Sequence, residues 1–325
     1  MSFYRILSLD GGGIRGYLTI LLLERLEEKC PGFLEQIDLF AGTSTGSIIA
    51  LALAHGKTPA EVRGLYERYG RYIFHDSLLD NVRDMGFAFG AKYGNKHLKK
   101  MLKTFFGSNR LQNLQKRVLV TSFDLDHLPE KEDEPRMWKA KFFHNYPGED
   151  SDECEFIVDV ALRSSAAPFY FPSYQGYVDG FVVANNPSMC ALTQALDTAV
   201  IHLEDIVLLS LGTGLNPRYI SDKDADWGWI KWMIQFQPLR RHWYALPLVY
   251  MMWEGGVNLA NYQCEQLIHE RFHRLDPILT KLVDIDEVSR MSLMKGIAEQ
   301  EDLTETALWL NDYFEVGEGE TAVAA

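Results

Sequence analysis

Short, largely apolar runs alternate with longer stretches of helical spacing along most of the chain. Residues 3–9, 36–41, 117–124 and 206–211 are the runs, and their near-continuous apolar character predicts strands buried on both faces. Between them, Leu18, Leu21, Leu22 and Leu26 share one face of a helix from about Tyr17 to Cys30, which Pro31-Gly32 ends. Thr58-Pro59-Ala60-Glu61 predicts a helix start, with Thr58 as N-cap, Pro59 at the first position and Glu61 placed to complete a capping box. Further helices are predicted over 95–106, over 156–167 and from Asn186-Pro187 to about Val200, with strands over 138–144 and 175–179. Residues 70–95 have no clear period and read as a loop or cap, and 130–135 as a solvated, charged turn. Strands alternating with helices predict an α/β fold whose mainly parallel central sheet is covered on both faces.

The second part of the chain is patterned differently. Residues 227–254 hold five of the seven tryptophans (Trp227, Trp229, Trp232, Trp243 and Trp253) beside Phe236, Tyr244 and Tyr250, with Lys231, Arg240 and Arg241 nearby. Two readings fit: a packed helical cap with aromatics inside, which is preferred because aromatic clusters are usually core, or a face against a membrane. From Tyr262 onward the spacing reads as helical. With no repeat and no Pro/Ser-rich linker, the expected organisation is a catalytic core over 1–215, a helical, aromatic-rich extension over 216–316 packed on the same domain, and a frayed tail over 317–325.

Composition narrows the classes. The 325 residues carry a formal net charge of -13, which argues against a nucleic-acid polymer as partner and against global attraction to anionic membranes. Cys30, Cys154, Cys190 and Cys264 are scattered without a CxxC pair, so free thiols in a reducing compartment are expected. No secretory signal pattern opens the chain, and no run reaches the ~18 apolar residues of a spanning helix. A cytoplasmic protein, peripherally membrane-associated at most, is the expectation.

Two glycine-rich stretches carry the chemistry: Asp10-Gly11-Gly12-Gly13-Ile14-Arg15-Gly16 and Gly42-Thr43-Ser44-Thr45-Gly46. Each falls where a buried strand passes into a helix, the place where open α/β sheets put their ligands. Gly-x-Ser-x-Gly in that setting is a nucleophile elbow, with Ser44 on the turn and Gly42 and Gly46 leaving room for strand and helix. The glycine run can aim backbone N–H groups, aided by the helix that follows, at a developing oxyanion. Gly11, Gly13 and Gly16 also fit G-x-G-x-x-G by count. A dinucleotide site, however, wants an acid at the end of the next strand, and Glu35 and Asp38 precede or open that strand instead. Arg15 either fixes the loop or meets an anionic group; the plain alternative is a surface arginine.

A serine hydroxyl needs a base. None of the nine histidines stands in a signature-like setting. Asp179, at a strand end before Gly180, is a candidate acid, since a desolvated carboxylate can serve as base; taken alone, a turn residue is the favoured reading.

The chain resembles the patatin-like phospholipases. The resemblance rests on the two glycine stretches above, on Ser164-Ser-Ala-Ala-Pro-Phe-Tyr-Phe-Pro172, Asp179-Gly180, Asn186-Pro187, Leu209-Ser-Leu-Gly-Thr-Gly214 and Phe272-His-Arg-Leu-Asp-Pro277, and runs through nearly the whole chain. It implies a three-layer α/β/α fold with a C-terminal helical extension, and lipid acyl hydrolysis by a Ser–Asp dyad without histidine. It makes Ser44 the nucleophile and Asp179 the base, with Gly11, Gly12, Gly13 and Arg15 as the oxyanion and anion site. No metal or cofactor is expected; the expected partner is a phospholipid or other acyl ester. Some bacterial relatives answer to small nucleotides, but no residue here indicates such an activator. The one departure is Phe181, a bulky residue where the family's Asp-Gly-Gly/Ala motif has a small one. The alternatives are an acyltransferase, a Ser-His-Asp esterase, or a non-catalytic module binding an anionic lipid or a nucleotide.

Overall fold

The computed structural model describes residues 3–74, 91–128, 135–197, 200–220, 227–237, 242–245 and 247–315. Most of the loop read at 70–95, most of the charged turn at 130–135 and the tail at 317–325 lie outside them.

The predicted strands form as β1 (Tyr4–Leu9), β2 (Leu39–Thr43), β3 (Arg117–His127), β4 (Met137–His144), β5 (Tyr177–Asp179) and β6 (Ile206–Leu211). β7 (Ile234–Gln237) and β8 (His242–Ala245) make a separate antiparallel pair, and β9 is Phe272–Leu275. The main sheet runs β4-β3-β2-β1-β6-β9, with β5 also on β3. The β1–β2, β1–β6, β2–β3 and β6–β9 pairs are parallel, and β4 and β5 lie antiparallel to β3.

β9 corrects the helical reading of the chain beyond Tyr262. Its four residues pair with β6 from Leu208↔Phe272 to Leu211↔Leu275, so the segment after residue 215 supplies a strand of the main sheet as well as helices and the β7–β8 pair. A four-residue run carries too little period to tell strand from helix, and only the partner strand decides.

Alternation along the strands explains the continuous apolar runs. Leu7, Leu9, Phe40, Val118, Val120, Val207, Leu209 and Leu211 face one core, while Ile6, Leu39, Ala41, Leu119, Ile206 and Leu208 face the other. The first is covered by helices α1 (Gly16–Lys29), α2 (Thr45–Ala54), α3 (Pro59–Ile73), α4 (Asn95–Phe106) and α5 (Ile157–Ser164). Against the second lie α7 (Ser188–Asp197), which follows the short α6 (Phe181–Ala184), and α9 (Pro247–Ile268), which follows the short α8 (Trp229–Met233). Helices α10 (Met291–Gln300) and α11 (Thr304–Tyr313) close the C-terminal part. The result is a three-layer α/β/α molecule with a mainly parallel sheet and C-terminal helices. The capping box at Thr58 forms as predicted: the Glu61 amide donates to Thr58 Oγ1 at 3.3 Å, and the Thr58 amide to Glu61 Oε2 at 2.8 Å. All four cysteines are free.

Candidate active site

The two glycine stretches meet at the carboxyl ends of β1 and β2, which pair Leu9↔Gly42. Ser44 sits between β2 and α2 at φ 55°, ψ −121°, a strained conformation for a residue with a side chain. The crowding around it explains both flanking glycines. A Cβ on Gly42 would lie 2.4 Å from the Gly46 carbonyl oxygen, and one on Gly46 2.2 Å from that of Leu9. Helix α2 is buried along its whole length, so the elbow has no room to relax. The Ser44 amide donates to Ser164 Oγ at 2.9 Å, tying the turn to the end of α5.

Asp179 reaches the serine from across the sheet. β5 pairs with β3 so that Asp179 stands opposite Ser122. The close approach needs Gly180, where a Cβ would lie 2.1 Å from Thr121 Oγ1. The Asp179 amide donates to the Ala166 carbonyl at 3.0 Å and the Gly180 amide to that of Ser164 at 3.3 Å. One segment, 164–166, therefore holds both the nucleophile's turn and the acid's. The carboxylate is 1% exposed. It accepts from the Phe181 amide at 2.9 Å, and the Ser44 hydroxyl beside it favours its ionised form. Burial pushes it up to about 7, and Ser44 and the Phe181 amide only partly oppose the shift. Among the described residues, no histidine lines the cavity around the pair.

The glycine loop divides its work. The Gly11 amide donates to the Asn185 carbonyl at 3.1 Å, so this N–H is committed within the fold. Gly12 and Gly13 line the cavity beside Ser44. Neither tolerates a side chain: a Cβ on Gly12 would lie 2.3 Å from Thr213 Oγ1, and one on Gly13, at φ 59°, 2.1 Å from the Ile285 carbonyl oxygen. Arg15 is no surface residue. It is 7% exposed, donates from Nη1 to the Gly214 carbonyl at 3.1 Å and lies over the Trp253 ring at 5.4 Å. Those contacts fix the loop, and Arg15 does not line the cavity. Asp38, the residue weighed for a ribose contact, accepts from the Arg5 amide at 2.8 Å, far along the strands from the glycine loop.

Several site residues escaped the reading of single motifs. Asn185 lines the cavity and donates from Nδ2 to the Gly11 carbonyl at 3.2 Å, while among the described residues neither its buried Oδ1 nor Ser165 Oγ, also at the wall, has a partner. Below the loop, Arg274 of β9 clamps Asp10 through both oxygens (3.0 and 2.6 Å) and also reaches Asp276 at 2.8 Å and Ser210 at 2.7 Å. Burial alone would depress Arg274; Asp10 and Asp276 outweigh it and hold the guanidinium charged. Asp276 in turn accepts from the Gly214 amide at 2.8 Å. The quoted stretches at 164–172 and 272–277 carried the signal for Ser165, Arg274 and Asp276, but nothing local says what each touches.

The cavity holds about 990 Å³, at the upper end of small-molecule sites. Ile48, Leu65, Ile73, Leu98, Met101 and Phe171 form an apolar stretch of its wall, while Arg218, Lys281, Asp284, Glu287 and Arg290 form a charged one. Phe181 lines it too, with its ring 5.5 Å from that of Trp253, so the bulky residue narrows the site beside the acid. Among the described residues, no group of three or more His, Cys, Asp or Glu is placed to hold a metal ion.

Comparison with known proteins places the chain. Residues 7–192 match the family described as patatin-like phospholipase. CotR of Bacillus subtilis is 34% identical over 85% of this chain and 88% of its own. The cGAMP-activated phospholipase of Vibrio cholerae is 34% identical over 69% of each chain. Patatin of Solanum tuberosum is 26% identical over 72% of this chain and 67% of its own.

Proposed function

The chain belongs to the patatin-like phospholipase family of lipid acyl hydrolases, and we propose that it cleaves the acyl ester of a phospholipid with Ser44 as nucleophile and Asp179 as its base. The observation that carries this reading is the strained serine beside a buried carboxylate at the wall of a largely apolar cavity. Ser44 Oγ attacks the ester carbonyl carbon while Asp179 takes the hydroxyl proton. The carbonyl oxygen becomes an oxyanion that the Gly12 and Gly13 amides receive; Gly11 supports the loop through Asn185. As the tetrahedral intermediate collapses, the leaving alcohol departs with the proton from Asp179. Water then attacks the acyl-enzyme, Asp179 again taking a proton, and the fatty acid leaves as Ser44 regains its hydrogen. A carboxyl group held near 7 suits both directions of that transfer at neutral pH.

A phospholipid panel read by mass spectrometry, on the parent chain and on Ser44→Ala, tests the proposal. Assays run with and without a cyclic dinucleotide, because a Vibrio cholerae relative is named as cGAMP-activated. The expected result is release of free fatty acid and fluorophosphonate labelling, both lost in Ser44→Ala. Turnover in Ser44→Ala at the parent rate overturns the assignment; parent-like activity in Asp179→Asn moves the base elsewhere.

A further inference from the structure

Helix α9 is apolar on two opposite faces. Val257, Ala260, Cys264 and Ile268 are buried, the last two in the core against the sheet. On the other side, Leu248, Met251, Met252, Leu259 and Tyr262 are 40, 47, 69, 56 and 61% exposed. At about 100° per residue these five fall within one stripe about 100° wide, and from Leu248 to Tyr262 it runs about 21 Å. No Lys, Arg, Asp or Glu interrupts it: the only charged residue of α9 before Glu265 is Glu254, which turns aside to Arg218 at 3.6 Å. Folded monomers rarely leave so long an apolar face open to water without a use.

The stripe is continuous with the cavity. Val249, one turn before Met252, lines the cavity wall with Tyr250 and Trp253 of the same helix. Trp229, on α8 against the start of α9, lines the cavity as well and is 77% exposed. A path from the open stripe to the catalytic cavity thus stays on apolar and aromatic side chains of one helix and its neighbour.

We propose that this face of α9, with Trp229, docks on an electroneutral lipid surface and brings the cavity mouth to its substrate. The proposal rests on the lipid-ester reading of the site. Its chemistry argues against an electrostatic landing, since the α9 stripe carries no Lys or Arg, Lys231 is the one cation on α8, and the chain as a whole carries -13. Attachment comes from burying apolar and aromatic side chains at the headgroup boundary. Among the described residues, no helix is long and apolar enough to cross a membrane, which fits a surface contact.

The experiment is flotation with phosphatidylcholine vesicles, comparing the full chain with a Met252→Glu/Leu259→Glu variant. Both residues are exposed and outside the cavity wall, so the fold and the hydrolysis of a soluble short-chain ester stay unchanged. The expected loss of vesicle-bound protein is about tenfold or more, with hydrolysis of vesicular phospholipid falling in parallel. Raising salt does not weaken parent binding, and adding phosphatidylglycerol does not strengthen it. A parent chain that fails to float, or a variant that floats equally, overturns the proposal. So does binding that needs anionic lipid and vanishes in salt. A parent dimer in sedimentation that the variant converts to monomer assigns the stripe to a second copy and also overturns it. Flotation is independent of chemistry, so failure of the Ser44 assignment shows separately, in the short-chain ester assay of Ser44→Ala.

Discussion

Replacing Asp179 by Asn separates what the site does for catalysis from what it costs the fold. In the folded chain, burial moves the carboxyl from its ordinary 3.8 to about 7. Unfolded, it ionises near the ordinary value. Between those two pH values the folded state holds a proton that the unfolded chain has released, so stability falls as pH rises through the window, and above about 7 the loss is complete. At about 1.4 kcal/mol per pH unit, the distance from 3.8 to about 7 amounts to about 4 kcal/mol. Asp179→Asn has no proton to lose and keeps an oxygen for the Phe181 amide. Its urea-unfolding free energy is therefore expected to match the parent near pH 4 and to exceed it by up to about 4 kcal/mol near pH 8. Ester hydrolysis runs the other way. The variant loses nearly all activity, and parent kcat/KM rises with pH, levelling above about 7 as the base ionises. Equal stability of parent and variant across this range refutes the buried, reluctant carboxylate. A flat pH profile in the parent refutes its role as base.

Three other perturbations probe the surroundings. Gly12→Ala puts a Cβ 2.3 Å from Thr213 Oγ1; the loop has to move, and kcat for a short-chain ester falls about 10²–10³-fold, as for a lost oxyanion donor. An unchanged kcat removes Gly12 from that role. Arg274→Met leaves Asp10 and Asp276 without their shared guanidinium and costs about 3–5 kcal/mol in urea unfolding, while the Asp10→Asn/Arg274→Met pair recovers part of it; no recovery in the pair denies the coupling. Phe181→Ala removes a ring from the cavity wall, so the ratio of bulky-chain to short-chain ester turnover rises while fluorophosphonate labelling persists. An unchanged ratio means Phe181 does not set substrate size.

What short-range chemistry determines was present in the sequence. Strand runs, the Thr58 cap, and the elbow glycines at 42 and 46 depend on backbone geometry within a few residues. So the order of elements and the position of Ser44 were legible from pattern. Asp179 was legible only through the resemblance, because its basicity comes from desolvation in the folded chain and its partner Ser44 lies 135 positions away. The tertiary structure alone decided the rest. It commits the Gly11 amide to Asn185 and leaves Gly12 and Gly13 at the cavity. It buries Arg15 against Trp253, brings β9 onto β6, and sends Arg274 back to Asp10 across 264 residues. Each of these is a pairing between distant segments, and no local period or motif carries the energy of a contact whose partner lies elsewhere in the chain.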